Sequence, residues 1–390
     1  MDVRAMALLS LSHLVDDYNQ SFIPALLPFL ILSRGLTHQT AATLVFAQAM
    51  SSSVIQPLIG HLADRRSMPW LIAAGIFLAG CGVAVLGWLP SFPLMFAAAL
   101  VSGIGVAAFH PEAARFANWV SGDRKASGMR WFAVGGNLGF AVGPTFATAA
   151  IAAWGLRGTL AAFVPVTIVA VVVLTELRRL MTFAPTQAKR RVAAGIDNWP
   201  AFGKLSLAVI VRSITYLGLV SFVPLYVVEV LHTSPVAGDT VLTIFLLSGV
   251  AGTLAGGPVA DAIGRKPVLL ISLAGSALVA GVLYVAGPTL GVVGATLVLV
   301  VLSFILYTSQ AAMVVLGQEY LPNRLGLASG VTLGLAVSLG GMFTPVLGYI
   351  ADRHGVAASI LTLAILAAVA LSIAFTLPAE RRRVVANEAA

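Results

Sequence analysis

The run SHLVDDYNQ, Ser12 to Gln20, sets two adjacent carboxylates, Asp16 and Asp17, beside His13 and Gln20 in an otherwise apolar stretch. In a helix, residues three and four apart share a face, so most of this set lies on one side. Neighbouring carboxylates disfavour each other's ionisation, and an apolar surround disfavours both charges. Such a pair is suited to taking up and releasing a proton; a purely structural hydrogen-bonding role for Asp17 is the alternative. A second polar run, FHPEAARF, brings His110, Glu112 and Arg115 together, with Pro111 removing one backbone hydrogen bond. Counted from the basic ends of their runs, the acid pair is roughly 11 residues deep, about 16 Å, and Glu112 roughly 7 residues deep. The two sets overlap in depth and are expected to form one buried network for proton coupling, Asp16, Asp17, His110 and Glu112. The alternative for Glu112 is a pair with Arg115 that holds a helix end.

The second half of the chain has no such acid pair. It offers Arg212, with Tyr216 four residues on and so on the same helical face, and further along Tyr307 and Gln310 three residues apart. An arginine in an apolar span needs a partner, a water-filled cavity or an anion. Two readings stand side by side: an ion pair to Asp16 or Asp17, or recognition of an anionic substrate. His13, Gln20, Arg115, Arg212, Tyr216, Tyr307 and Gln310 are the candidate substrate-binding residues. Satisfied polar groups between packed helices would look the same for the tyrosines and glutamines. Glu229 and Glu319 fall near span ends, where solvated or capping roles are expected.

What must position these groups is a membrane. With 59% hydrophobic and 10% charged residues and a mean hydropathy of +0.97, the chain is too apolar for a soluble fold. A span takes roughly 20 apolar residues, which leaves room for about twelve. We place them at about 5–32, 38–63, 69–89, 92–119, 123–153, 157–180, 201–231, 236–262, 267–287, 289–319, 324–352 and 356–378. GHLADRRSM, Gly60 to Met68, returns as GPVADAIGRK, Gly257 to Lys266, and Pro24 and Pro224, His110 and Gln310, and Pro144 and Pro345 repeat at a similar interval. The expected fold is therefore all-α, a duplicated integral membrane protein of two six-helix bundles, 1–180 and 201–390, joined by a linker at 181–200.

The net charge of +8 is spread along alternate loops and both termini, in Arg4, Arg65, Arg66, Arg124, Lys125, Arg178, Arg179, Lys189, Arg190, Arg191, Lys204, Arg265, Lys266, Arg324 and Arg381 to Arg383. Only Arg34, Arg157 and Arg353 fall in the opposite loops. By the positive-inside rule both termini are expected in the cytoplasm. A clustered basic face on a soluble domain is absent, so nucleic acid is not an expected partner. The first span carries Asp16 and Asp17 with no compact apolar core before a cleavage site, and reads as retained. The single Cys81 allows no intramolecular disulfide. No phosphate-binding glycine loop, CxxC pair or HExxH helix occurs, so no ATP hydrolysis, cofactor or metal is expected.

The two related loops, with Gly60, Asp64, Arg65 and Arg66 in the first and Gly257, Asp261, Gly264, Arg265 and Lys266 in the second, resemble the signature loops of the major facilitator superfamily, and the resemblance covers essentially the whole chain. The first copy departs from the pattern, having Arg66 and Ser67 where a glycine is usual. The resemblance implies that these loops gate, the aspartate engaging helix ends of the other bundle when the cytoplasmic side is shut. A plain topology anchor would explain the arginines alone. HLVDDYNQSFIPALLPF at His13 to Phe29, GVAAFHPEAARFA at Gly105 to Ala117 and GGNLGFAVGP at Gly135 to Pro144 resemble the fosmidomycin resistance family of exporters. Gly139, Gly143 and Pro144 in the last are similar to an antiporter helix motif, lacking its trailing glycine pair, and imply close helix packing and a bend.

The resemblance implies a proton-driven exporter of the bacterial inner membrane acting on a small amphiphilic or anionic compound, and not an enzyme. The expected partners are the small-molecule substrate, protons and the lipid bilayer, with the protein a monomer. Proton-coupled uptake of an organic anion is the same-class alternative. A membrane-embedded enzyme using His110, Glu112 and Asp16, or His13 and His110 around a metal, is the remote one.

Overall fold

The computed structural model describes residues 1–65, 67–184, 196–324, 327–328, 331–332 and 336–378, and among these there is no β-strand. Arg66, Lys189, Arg190, Arg191 and Arg381 to Arg383, and the side chains of Asp64, Arg65 and Lys125, lie outside the described residues. The helices are α1 (Val3–Arg34), α2 (His38–Arg65), α3 (Trp70–Val85), α4 (Phe92–Val120), α5 (Lys125–Trp154), α6 (Phe163–Met181), α7 (Trp199–Glu229), α8 (Pro235–Ile263), α9 (Arg265–Thr308), α10 (Gln310–Tyr320), α11 (Ala336–Gly341), α12 (Thr344–His354) and α13 (Val356–Phe375). Eight stretches of the described helices are long and apolar enough to cross a membrane. Two of them, Gly128–Met181 and Arg265–Tyr320, run to 54 and 56 residues, longer than one crossing requires.

The breaks in those stretches show where local chemistry overrides hydropathy. Gly155 (φ 61°) opens a 3-10 segment, Gly155–Ala162, between α5 and α6. Within α9 the backbone turns at Gly291 (φ 64°, ψ −177°), a left-handed position that glycine adopts without steric cost. This puts the junction a few residues later than the expected gap between 287 and 289. The expected continuous span 324–352 is also corrected: the described part is interrupted at Met342 and Phe343 before α12. Pro345, in the first turn of α12, has no N–H to continue a helix. Thr344 donates from its hydroxyl to Gly341 O at 2.8 Å.

The helix ends define two faces. At the basic end lie Asp2, the turns around 67–69 and 121–124, and Arg179, Arg265 and Arg324. Asp2 caps α1, accepting from the Ala5 N–H at 2.8 Å. That bond and two from Arg179 hold its carboxyl below the ordinary carboxylate range. At the far end lie His38, Trp88, Arg157, Glu229, Thr289 and His354. In the first half α1 packs along α5, and α4 packs on α2 and α3. In the second half α8 packs along α9, and α13 on α7 and α9. Phe22, Phe109, Phe116, Phe222, Tyr226 and Phe245 are fully buried between them. Val164, Ile168 and Val171 on α6, and Ile271, Leu278 and Val285 on α9, stay exposed, as outward faces meeting lipid chains should.

Candidate functional site

The polar run of α1 sits where α4 and α5 close over it. α5 approaches because its inner ridge is glycine: a Cβ on Gly139 would collide with the Leu14 backbone, one on Gly143 with Ser21, and one on Gly136 with Asp17 and His13. Small residues allow this proximity between membrane helices. Pro144 lies within α5 just beyond that ridge.

Asp16 is fully buried and Asp17 nearly so. The Asp17 carboxylate accepts from Gln20 Nε2 at 2.5 Å, and lies 3.2 Å from His13 Nε2 and 3.3 Å from His110 Nε2. Asp16 lies 3.4 Å from His110 Nδ1 and makes no hydrogen bond within the normal range. Each histidine is fixed by a backbone carbonyl: His13 Nδ1 lies 2.8 Å from Phe132 O and His110 Nδ1 3.0 Å from Val106 O. His13 also stacks on the Phe132 ring at 4.1 Å. Two carboxylates and two imidazoles thus form one connected set, all of them groups that exchange protons in water. His13, Asp17 and His110 offer ligand atoms within 4.8 Å of one another, close enough to gather around a small cation.

Glu112 is not brought into this set. Its carboxylate accepts from the Met68 N–H at 2.5 Å, across the turn between α2 and α3, and lies 3.9 Å from Arg115. Arg115 lies over the Trp119 ring at 4.9 Å, toward the basic end. The geometry of these two is that of the helix-end pair weighed as the alternative.

In the second half Arg212 is 2% exposed. It donates to Ser309 Oγ at 3.2 Å and to Leu306 O at 2.5 Å. Ser272 Oγ in turn lies 3.0 Å from Ser309 Oγ. The ion pair with Asp16 or Asp17 that the sequence allowed is not formed, and among the described residues no carboxylate lies within salt-bridge distance of this guanidinium. Tyr216 and Tyr307 meet edge to face at 5.3 Å, and Phe140 of α5 lies 6.4 Å from Tyr216, linking the halves. Gln310, partly buried, begins α10 directly after Ser309.

The loop residues sit apart from this site. A Cβ on Gly60 would meet only Pro111, and Gly257 faces open space. Gly264 (φ 97°) ends α8, Arg265 pairs with Glu319 at 2.8 Å, and Lys266 donates to the carbonyls of Phe375 and Leu377. Asp261 is exposed and in no ion pair among the described residues.

Sequence reasoning missed the contacts that join the halves. Thr148 of α5 donates to Asp239 of α8 at 2.5 Å, and Thr145 meets Thr243 at 2.8 Å. Thr344 donates to Ala42 O at 3.1 Å, and His38 meets Glu229 and Asp352. All lie toward the far end. Asp239, with no exposure, carried the one signal available, a lone acid in an apolar run.

Helices enclosing buried ionisable groups near mid-depth, joined across the halves toward one end, define a multi-pass transport protein. The chain belongs to the Major Facilitator Superfamily, whose family model matches residues 9–345. It is 34% identical over 355 residues to the fosmidomycin resistance protein of Escherichia coli (strain K12), covering 89% of this chain and 86% of that one. It is 30% identical over 388 residues to an uncharacterized MFS-type transporter, YfnC, of Bacillus subtilis (strain 168), covering 97% and 93%. Among solved structures it is similar in fold to a bacterial homolog of the human lysosomal transporter Spinster (TM-score 0.77, 14% identity, 95% of each chain). It is similar also to the nucleoside transporter NupG (TM-score 0.72, 15% identity, 98% of this chain and 100% of that). The chain is a transporter and not an enzyme.

Proposed function

We propose that this protein is a proton-coupled exporter of a small anionic or amphiphilic compound, related in substrate class to the compound its Escherichia coli relative is named for. It works by alternating access between two six-helix bundles, 1–180 and 201–390, of twelve spans in all. It resides as a monomer in the bacterial inner membrane, with both termini cytoplasmic, in keeping with the basic end.

The observation that carries this reading is the separation of two kinds of charge. Asp16, Asp17, His13 and His110 form a set that can change its charge by a proton, whereas Arg212 is a fixed cation with no carboxylate beside it among the described residues. A protonated α1 set and an anionic substrate on Arg212 differ in which state of the transporter they favour, and that difference is what coupling requires. The guanidinium presents five N–H donors, and its bonds to Ser309 and Leu306 orient it while leaving others for an oxyanion. Contacts joining the halves at the far end support a state that receives substrate from the basic end.

The test is flux into proteoliposomes under an imposed pH gradient, with a panel of phosphonates, sugars and lipophilic cations. Export predicts uptake into inverted vesicles with counterflow of protons, selective for anions. Movement of anion and proton in the same direction would replace export by uptake; no flux of any anion would overturn the reading of Arg212.

A further inference from the structure

α2 opens at the far end with a histidine outside the α1 set. His38, the first residue of α2, has both ring nitrogens on carboxylates: Nδ1 lies 2.7 Å from Asp352 Oδ1 and Nε2 lies 2.7 Å from Glu229 Oε1. Asp352 is near the end of α12 and Glu229 ends α7, so one side chain of the first half bridges two helices of the second. Asp352 also accepts the backbone N–H groups of His38 at 2.8 Å and Gln39 at 2.9 Å. These are among the N–H groups that the first turn of a helix leaves without an internal partner. A Cβ on Gly348 would collide with the backbone of Gln39 and His38, so α12 and the start of α2 are in direct contact.

A proton count follows from the geometry. A neutral imidazole donates from one nitrogen and accepts at the other, and ionised carboxylates only accept. Two 2.7 Å contacts from opposite sides of the ring to two carboxylates therefore need one proton more than a neutral histidine and two carboxylates contain. The other charged groups at this end are engaged elsewhere: Asp239 accepts from Thr148, Arg34 donates to Gly87 O, Arg157 lies over Trp88 and Arg353 over Tyr349. His232 and His354, also at this end, make no ion pair with the cluster.

We propose that His38, Glu229 and Asp352 form a second proton-binding site, separate from the α1 acids, that is filled when the far end is closed and emptied when it opens. Closing takes one proton from the water on that side onto the imidazole; separating α2 from α7 and α12 returns it to the same water. The proton is not carried across. Acid outside the far end thereby favours the closed state, and alkali favours opening. The site bears on transport through the alternating-access reading, but its occupancy and its effect on closure stand without that reading.

The experiment uses the full chain in lipid nanodiscs, with spin labels at Ser91→Cys and Thr289→Cys in a Cys81→Ala background. Both label positions are exposed at the far end, one in each half. The distance between them is measured at about pH 5.5 and about pH 8.5, on either side of the ordinary histidine value of about 6.5. The unsubstituted cluster should shift from short to long distances as pH rises, with the closed-to-open ratio falling by up to about tenfold per pH unit, the limit for one proton. His38→Gln, which bonds but binds no proton, should lose the shift; His38→Arg, a permanent cation, should stay short at both pH values. A shift that persists unchanged in His38→Gln overturns the site. Repeating the measurement with Asp16→Asn and Asp17→Asn together separates the two readings. Persistence of the shift there supports the far-end site, and its disappearance there with survival in His38→Gln assigns the closing proton to α1 instead.

Discussion

α1 and α7 occupy corresponding places in the duplicated chain and carry ionisable residues of opposite charge. Their setting is shared: Gly139 lies against Leu14, and about 200 residues on Gly340 lies against Ser213, each too close for a Cβ. Pro24 and Pro224 lie inside the two helices at matching points. Their polar cargo is not shared. Where α1 has Ser12, Asp16 and Asp17, α7 has Arg212, Tyr216 and Leu217. The packing geometry is shared and the inner faces differ; on the proposed reading one half is variable in charge and the other fixed.

The largest expected effect tests the variable half. Asp16→Asn or Asp17→Asn keeps shape but removes an exchangeable proton, so each purified variant should insert normally and lose substrate-induced proton release, read with a pH-sensitive dye. Wild-type release from both would erase the distinction between the helices.

On the fixed half, Arg212→Lys keeps the charge but loses the planar fork. Bonds from a charged donor contribute about 1.5–3 kcal/mol each, so affinity for a phosphonate should fall about 10- to 100-fold by calorimetry, with neutral compounds unaffected. Equal binding of neutral and anionic ligands by this variant would show that the cation serves packing alone.

The shared setting is tested by Gly139→Ala. The added methyl meets the Leu14 backbone, and overpacking of this kind costs about 1–3 kcal/mol, visible as a lower thermal midpoint in detergent. An unchanged midpoint would mean that the two helices do not need their close approach.

Asp261→Asn should leave binding intact and slow transport severalfold. Its exposed side chain lies at the basic end, far from Arg212, and can act only on the balance of states. Transport at saturating substrate with an unaltered rate would reduce the repeated loop to an anchor. The smallest effect belongs to Glu112→Gln, whose amide oxygen can still accept from Met68 N–H. Proton release should remain within about twofold, less than 0.5 kcal/mol, whereas abolition would bring Glu112 into the α1 set.

The α1 set was legible in the sequence because helical spacing alone gathers His13, Asp17 and Gln20, and the FHPE run announced its partner on α4. Arg212 stood out because a charge in an apolar span must be accommodated. Depth counting grouped Glu112 with the α1 acids, whereas the structure has it accept from a backbone N–H in a turn that no spacing rule reveals. Asp239, His38 and Asp352 were passed over for a related reason: each finds its partner about 90 to 310 residues away, on a helix of the other half. The junction at Gly291 and the interruption before Thr344 were smoothed over by hydropathy, which averages across the one or two residues that decide a backbone turn.

The bond from Met68 to Glu112 has a mechanical consequence. Glu112 is two residues beyond His110 on the same helix, with Pro111 between them leaving that point of α4 one hydrogen bond short. The turn after α2 is therefore hydrogen-bonded to the helix that carries His110, one residue beyond Pro111. We expect a tilt of α4 about Pro111 to move the turn with it, and a pull on the turn to reach His110. On the proposed reading the segment is a short rocker arm, with the turn at one tip, His110 at the other and a proline for its fulcrum.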